Sequence, residues 1–193
     1  MFQVRIHGRG GQGVVTAAEL LSVAAFAEGR HAQAFPSFGS ERTGAPVVAF
    51  CRIADVAIRL REPVLSPDAI IVQDLTLFEA MDVFAGLKDG GYVLLNAPSG
   101  PAELGIGERL RRYLPGHVAT VPASELAERH IGRPVPNAAL LGAFAALTGV
   151  VSVDSVLAAI RGRFGDGLVE GNLAAAAEAC DLVHAELGSR SHA

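Results

Sequence analysis

The sequence predicts an α/β fold: a single Rossmann-like domain with a mostly parallel sheet, an antiparallel hairpin, helices on both faces and a helical C-terminal tail. Three observations carry this. Short apolar runs of strand length alternate with longer helical stretches. A Gly-rich turn joins the first strand to the first helix. Half of the residues are hydrophobic and the mean hydropathy is +0.36. A globular chain accommodates that by burying whole helices and parallel strands, or by laying a face against partner subunits.

Residues 2–6 alternate apolar and polar side chains and lead to Gly8, the pattern of a strand. Residues 8–13 make a tight Gly-rich turn. Residues 14–28 are apolar on nearly every side and are closed by Gly29, which predicts a buried helix. Residues 31–35 read as a second strand, and residues 36–44 as a loop rich in Pro, Ser and Gly. The β-branched and aromatic run 47–53 is followed, after Ala54 and Asp55, by 56–60, and the two predict a hairpin. Runs 69–72, 91–95 and 118–121 have the form of buried strands. Residues 77–85 predict a helix with Gly86 near its end, and Ser124 begins another. The tail predicts helices over 136–147, 153–161 and 170–187. In the last of these Leu173, Cys180 and Leu187 fall seven apart on one face. The chain has no internal repeat, and its 193 residues suit one domain, 1–193.

The formal net charge is −4, and the basic pairs Arg111/Arg112 and Arg161/Arg163 are local, so nucleic acid is not an expected partner. The two cysteines, Cys51 and Cys180, cannot supply the roughly four thiolates of an iron–sulfur cluster. They read as core residues of a cytosolic protein. The N-terminus lacks signal-peptide form, and no apolar run reaches the roughly 20 residues that span a bilayer. A cytoplasmic protein with no membrane partner is expected. His7, His31, His117, His130, His184 and His192 are scattered without metal spacing. With no metal site and no catalytic acid–base pair, the chain is expected to be inactive on its own.

The loop Gly8, Arg9, Gly10, Gly11, Gln12, Gly13 fits G-x-G-x-x-G between a strand and a helix. Glycines bring backbone N–H groups close to an anion, and the helix N-terminus adds a favourable dipole. A phosphate or pyrophosphate is the natural guest. NAD is disfavoured, because no carboxylate ends the second strand to hold a ribose. The nearest, Glu41, lies beyond Pro36 in the following loop. Two readings of the loop stay open: a different phosphorylated ligand, or glycines that only permit tight strand–helix packing. Ser37, Ser40, Glu41 and Arg42 form a polar cluster, read as a rigid surface turn or as a place where Arg42 meets a partner subunit or a phosphate. Asn137 reads as a helix cap after Pro136.

The stretch from His7, Gly8, Arg9, Gly10, Gly11, Gln12 and Gly13 through Val14, Val15, Thr16, Ala17 and Ala18 resembles the opening of the gamma subunit of pyruvate and other 2-oxoacid:ferredoxin oxidoreductases. So do Glu41-Arg42 followed by Gly44-Ala45-Pro46, the run from Ile58 to Arg61, the run from Asp68 to Asp74, Asn137 with Gly142, and Glu170-Gly171-Asn172-Leu173. Thr43 departs from the family, where many relatives carry Gly or Arg. The motifs follow the family's order over nearly the whole chain. The resemblance implies a complex that converts a 2-oxoacid and CoA to acyl-CoA, CO2 and reduced ferredoxin. It implies thiamine diphosphate and magnesium in alpha and beta partner subunits and [4Fe-4S] clusters in the delta and beta subunits. It also implies that this chain contributes to a CoA site, through residues 8–13, Glu41, Arg42 and Asn137. Two other classes remain open: a purely structural interaction subunit, and a free-standing NAD-dependent oxidoreductase. Pyruvate is the first choice of substrate, with branched-chain 2-oxoacids and arylglyoxylates as rivals.

Overall fold

The computed structural model describes residues 1–37, 43–100, 102–114 and 116–190. Its strands are β1 (Phe2–Arg9), β2 (His31–Pro36), β3 (Pro46–Ala54), β4 (Ala69–Val72), β5 (Tyr92–Asn96) and β6 (Val118–Val121). Its helices are α1 (Val14–Ala27), α2 (Leu77–Ala80), α3 (Gly107–Leu110), α4 (Ala123–Ile131), α5 (Asn137–Thr148), α6 (Val153–Arg163) and α7 (Val169–Arg190).

One sheet of six strands runs in the order β2-β3-β1-β4-β5-β6. β1, β4, β5 and β6 pair in parallel. β3 runs antiparallel to both β1 and β2. Two reversals leave β2 pointing the same way as β1, so β1-α1-β2 is a parallel crossover with β3 inserted between its strands. The α/β class, the mostly parallel sheet and the helical tail are as expected.

The antiparallel hairpin lies elsewhere than expected. Both edges of β3 are occupied, Val4 standing opposite Cys51 on one side and Ala34 opposite Cys51 on the other. No edge remains for residues 56–60, which form no strand and expose Val56 and Leu60. The chain instead crosses the polar face of the antiparallel half of the sheet. There the carbonyl of Glu62 accepts from Arg52 Nη2 at 2.6 Å, and that of Val64 accepts from Arg5 Nη1 at 3.5 Å.

The two faces of the sheet carry unequal covers. Val4, Ile6, Ala49, Cys51, Ile53, Ala69, Ile71 and Leu94 face a thick helical layer built from α1, α4, α5, α6 and α7. α5 is its centre: ten of its twelve residues are buried, which is why its sequence is apolar all round. α7 lies across α5 through Leu173, Ala176, Ala179, Cys180 and Val183, with Leu187 at the margin, so the seven-residue spacing does mark its inner face. On the opposite face Ile70, Val72, Val93, Leu95 and Val118 pack against Leu77, Val83, Phe84, Leu110 and Tyr113. That cover holds two single-turn helices, α2 and α3, and α3 carries no signal in the sequence.

The helix expected over 77–85 stops at Ala80. Met81 is extended (φ −157°, ψ 158°), and the Asp82 carboxylate accepts from the Phe84 amide at 3.1 Å. The carbonyls of Val83 and Ala85 thereby turn to the buried Arg5 guanidinium, accepting from its Nη2 at 3.1 and 2.5 Å. Arg5 forms no salt bridge among the described residues and draws on those carbonyls and on Val64, and helix continuation would withdraw them.

Candidate functional site

β1 continues through α1 towards β2, and β4 continues through α2 towards β5, so these adjacent parallel strands send their connections in opposite directions. The crevice beyond their C-terminal ends is the switch point at which open α/β sheets bind ligands. Residues 8–13 occupy it.

The glycines there have different tasks. A Cβ on Gly8 would stand 2.6 Å from Val14 Cγ2 and 2.9 Å from Gln73 Oε1, so Gly8 permits the approach of helix to strand. Gly13 is the N-cap of α1 at φ 73°, and a side chain there would strike the Asn137 carboxamide. Gly11 has φ 97° and open space around it; its glycine serves the backbone conformation alone.

The turn is braced from within. Gln12 N donates to Arg9 O at 3.1 Å, and Gln12 Oε1 accepts from Arg9 N at 2.7 Å. Gly10 N donates to Ala45 O at 2.9 Å, and Gly10 O accepts from Gly44 N at 3.1 Å. The amides of Arg9, Gly10 and Gln12 are thus consumed. Those of Gly11, Gly13, Val14, Val15 and Thr16 have no acceptor among the described residues, and Gly13 O closes the first turn of α1 by accepting from Ala17 N. They stand at the positive end of a 14-residue helix beside a cavity of about 430 Å³ lined by Arg9, Gly10, Gly11, Gly13, Val14, Val15, Thr16, Thr43 and Val47. Among the described residues of that lining, Arg9 is the only charged side chain. A hollow of about 600 Å³ between α2 and α3 is larger, but it sets Glu79, Asp82 and Glu108 against Arg109 and Arg112, which suits a polyanion poorly.

Arg9 is held rather than free. Its Nη1 donates to Gly44 O at 3.0 Å, its Nε and Nη2 donate to Thr76 Oγ1 at 3.0 and 2.7 Å, and Nε lies 3.4 Å from Asp74 Oδ2. Asp74 also accepts from Gln12 Nε2 at 2.9 Å, and from Thr76 N and Oγ1 at 3.0 and 2.6 Å. Burial pulls the Asp74 carboxyl up, but the hydrogen bonds from Thr76 and Gln12 and the Arg9 charge outweigh it and hold the carboxyl below its usual range. Asp74 was not among the candidates read from the sequence. Its signal there is an acid directly after the buried run 69–72 and Gln73, at the C-terminal end of a strand next to the Gly-rich one.

Asn137 lies behind the loop, not in the cavity. It is buried, its Oδ1 accepts from Ala138 N at 2.8 Å, and its amide packs on Gly13. The cap position belongs to Pro136, so Asn137 is the first residue of α5 and not its cap. Glu41 and Arg42 lie outside the described residues.

Two neighbours of the loop are also buried. Among the described residues, Gln73 has no hydrogen-bond partner for either amide atom, and His7 none for Nδ1. His7 Nε2 accepts from Arg5 Nε at 3.0 Å, and burial, helped by the Arg5 charge, pushes the His7 pKa down from 6.5 to about 3. A neutral ring fixed beneath the sheet is not a general acid at this site. No cluster of three His, Cys, Asp or Glu suited to a metal occurs among the described residues. Burial raises the Cys51 thiol to about 12, leaving it an inert core group.

The pyruvate ferredoxin/flavodoxin oxidoreductase family model matches residues 3–182. The chain is 52% identical over 161 residues to pyruvate synthase subunit PorC of Methanosarcina barkeri, covering 83% of this chain and 85% of that one. It is 48% identical over 179 residues to the pyruvate/ketoisovalerate oxidoreductases common subunit gamma of Thermococcus kodakarensis, covering 93% and 95%. The crystal structure of pyruvate oxidoreductase subunit PORC from Thermotoga maritima superposes with a TM-score of 0.76 at 32% identity, covering 93% and 95%. A switch-point loop without catalytic groups, on a fold shared along nearly the full length of gamma-type chains, agrees with the order of motifs in the sequence: the chain belongs to the pyruvate ferredoxin/flavodoxin oxidoreductase family, as a gamma-type subunit.

Proposed function

We propose that this chain, residues 1–193 as one gamma-type domain, lends a phosphate-binding loop to the CoA site of a thiamine diphosphate-dependent 2-oxoacid oxidoreductase. In that assembly the alpha, beta and delta partner subunits hold thiamine diphosphate, magnesium and the [4Fe-4S] clusters. A 2-oxoacid and CoA leave as acyl-CoA and CO2, and two electrons pass to ferredoxin. The chain's own residues bind and orient; they transfer no proton and form no bond. Pyruvate is the substrate we favour. The relative from Thermococcus kodakarensis bears a name shared between pyruvate and ketoisovalerate enzymes, which supports placing the choice of 2-oxoacid in other subunits. No helix among the described residues is long and apolar enough to cross a membrane, in keeping with a cytoplasmic complex.

One observation carries the reading: the open amides at the start of α1 face a cavity in which Arg9 is the only charged side chain among the described residues. CoA brings a pyrophosphate and a 3′-phosphate, and such groups bind at helix N-termini. Glu41, Arg42 and Asn137 complete the proposed set, with Asn137 acting by supporting Gly13 and Arg42 by pairing with a phosphate.

The test is Thr16→Glu. Thr16 occupies the third position of α1, where an acid favours the helix dipole, so folding tolerates it. The new carboxylate faces the site that a phosphate would take. In the assembled enzyme the KM for CoA rises by about tenfold or more, equivalent to about 1.4 kcal/mol, while the KM for the 2-oxoacid stays. The tight packing at Gly8 and Gly13 favours a second reading, in which the loop only joins strand to helix. On that reading Thr16→Glu leaves the KM for CoA unchanged.

A further inference from the structure

We infer that Asp74 is the positioning residue of the loop, fixing the orientation of the Gln12 carboxamide and the place of Arg9 so that the amides of Gly11, Gly13, Val14 and Val15 stay open to an anion. The inference rests on the CoA reading of the site and extends it to a residue on a different strand connection.

A negative group beside an anion site demands a reason. Asp74 lies just past the end of β4, and its side chain is 18% exposed. Both its oxygens are in use: Oδ1 accepts twice from Thr76, and Oδ2 accepts from Gln12 Nε2 and faces Arg9 Nε. A carboxylate only accepts. The Gln12 amide nitrogen must therefore face Asp74, and its oxygen must face the loop, where it receives Arg9 N at 2.7 Å. Gln12 spans the turn as a brace with a fixed polarity, and Asp74 sets that polarity. Thr76 completes the link, donating to Asp74 and accepting from Arg9, so the guanidinium is drawn to the outer side of the loop.

Asp74→Asn keeps the size and changes the logic. An Asn nitrogen can donate to Gln12 Oε1, which turns the Gln12 amide over and sets its nitrogen against the Arg9 N–H. Two donors then meet, and the brace opens. Simple electrostatics makes the opposite forecast. Loss of a negative charge beside Arg9 would strengthen the hold on a polyanion. The sign of the change separates positioning from charge.

The experiment uses the assembled oxidoreductase carrying Asp74→Asn or, as a second variant that leaves the β4 connection intact, Gln12→Met. Hydrogen exchange is followed by mass spectrometry on peptides spanning residues 8–16, without CoA. KM for CoA, KM for the 2-oxoacid and kcat are measured in parallel. Both variants should speed exchange in that segment and not across the other strands. Both should raise the KM for CoA by about five- to tenfold, more than they lower kcat. Combining them should do no more than either alone, since they break one brace. Unchanged exchange in 8–16, or a KM for CoA that is unaltered or lower in Asp74→Asn, overturns the inference. Thr16→Glu runs alongside. If it leaves the KM for CoA unchanged, the ligand reading fails, and the exchange data still decide whether Asp74 braces the loop.

Discussion

Gly8, Gly11 and Gly13 show how much chemistry one loop motif compresses. The pattern in the sequence located the turn, but not which glycine serves packing, which serves a positive φ, and which amides remain open. Those depend on Val14, Gln73, Asn137 and Ala45, all brought there by other elements. Arg9 is tied to Thr76, Gly44 and Asp74, which the sequence could not show, because two of those three partners lie 65 residues or more along the chain. His7 gives a test at this scale. Its buried ring stays neutral to about pH 3, whereas the unfolded ring takes up a proton near 6.5. The native state thus binds fewer protons between those values. The stability that follows is complete above about 6.5 and is lost as pH falls towards about 3. Urea unfolding of the dilute chain should show stability declining over the upper part of that window. His7→Gln, which keeps an acceptor for Arg5, should flatten the decline. An equal decline in the variant would assign it to other groups.

Elements were legible where one physical cause dominated. The runs 69–72 and 118–121 match β4 and β6, since strands buried in a parallel sheet are mostly apolar. α1 and α5 lie within a few residues of their expected spans because they are largely buried, and α6 does so with Ser152 capping it through Ser155 N at 3.1 Å. Legibility failed where partners at a distance decide. The strand partner of β3 is fixed by sheet order, and α2 ends early because Arg5 claims the carbonyls that follow. Gly142 shows how helix packing is fixed. It lies in α5 where the backbone of α7 passes at Ala176, and a Cβ there would strike the Ala176 carbonyl. Gly142→Ala should therefore destabilise the chain by about 1–3 kcal/mol through forced separation of the two helices, despite the better helix propensity of Ala. A lower urea midpoint at unchanged slope is the expected reading. A midpoint equal to or above that of the parent would mean that the two helices can part at no cost.

At the scale of the molecule, the high mean hydropathy is explained mostly from within: ten of the twelve residues of α5 and all four of β4 are buried. The apolar residues left outside include Phe26 and Val23 on α1 and Leu65 and Leu114 elsewhere. The same architecture leaves the sheet one switch point and fills it with the Gly-rich loop, and no acid–base pair stands there among the described residues. On the proposed function, such a chain contributes a binding surface to a reaction completed by others. On the proposed function the surface holds a phosphate of CoA. A high-resolution cryo-EM map of the assembled oxidoreductase with CoA bound should then place a CoA phosphate within hydrogen-bonding distance of two or more of the amides of Gly11, Gly13, Val14 and Val15. CoA density lying wholly on other subunits, with this loop unliganded, would overturn that placement.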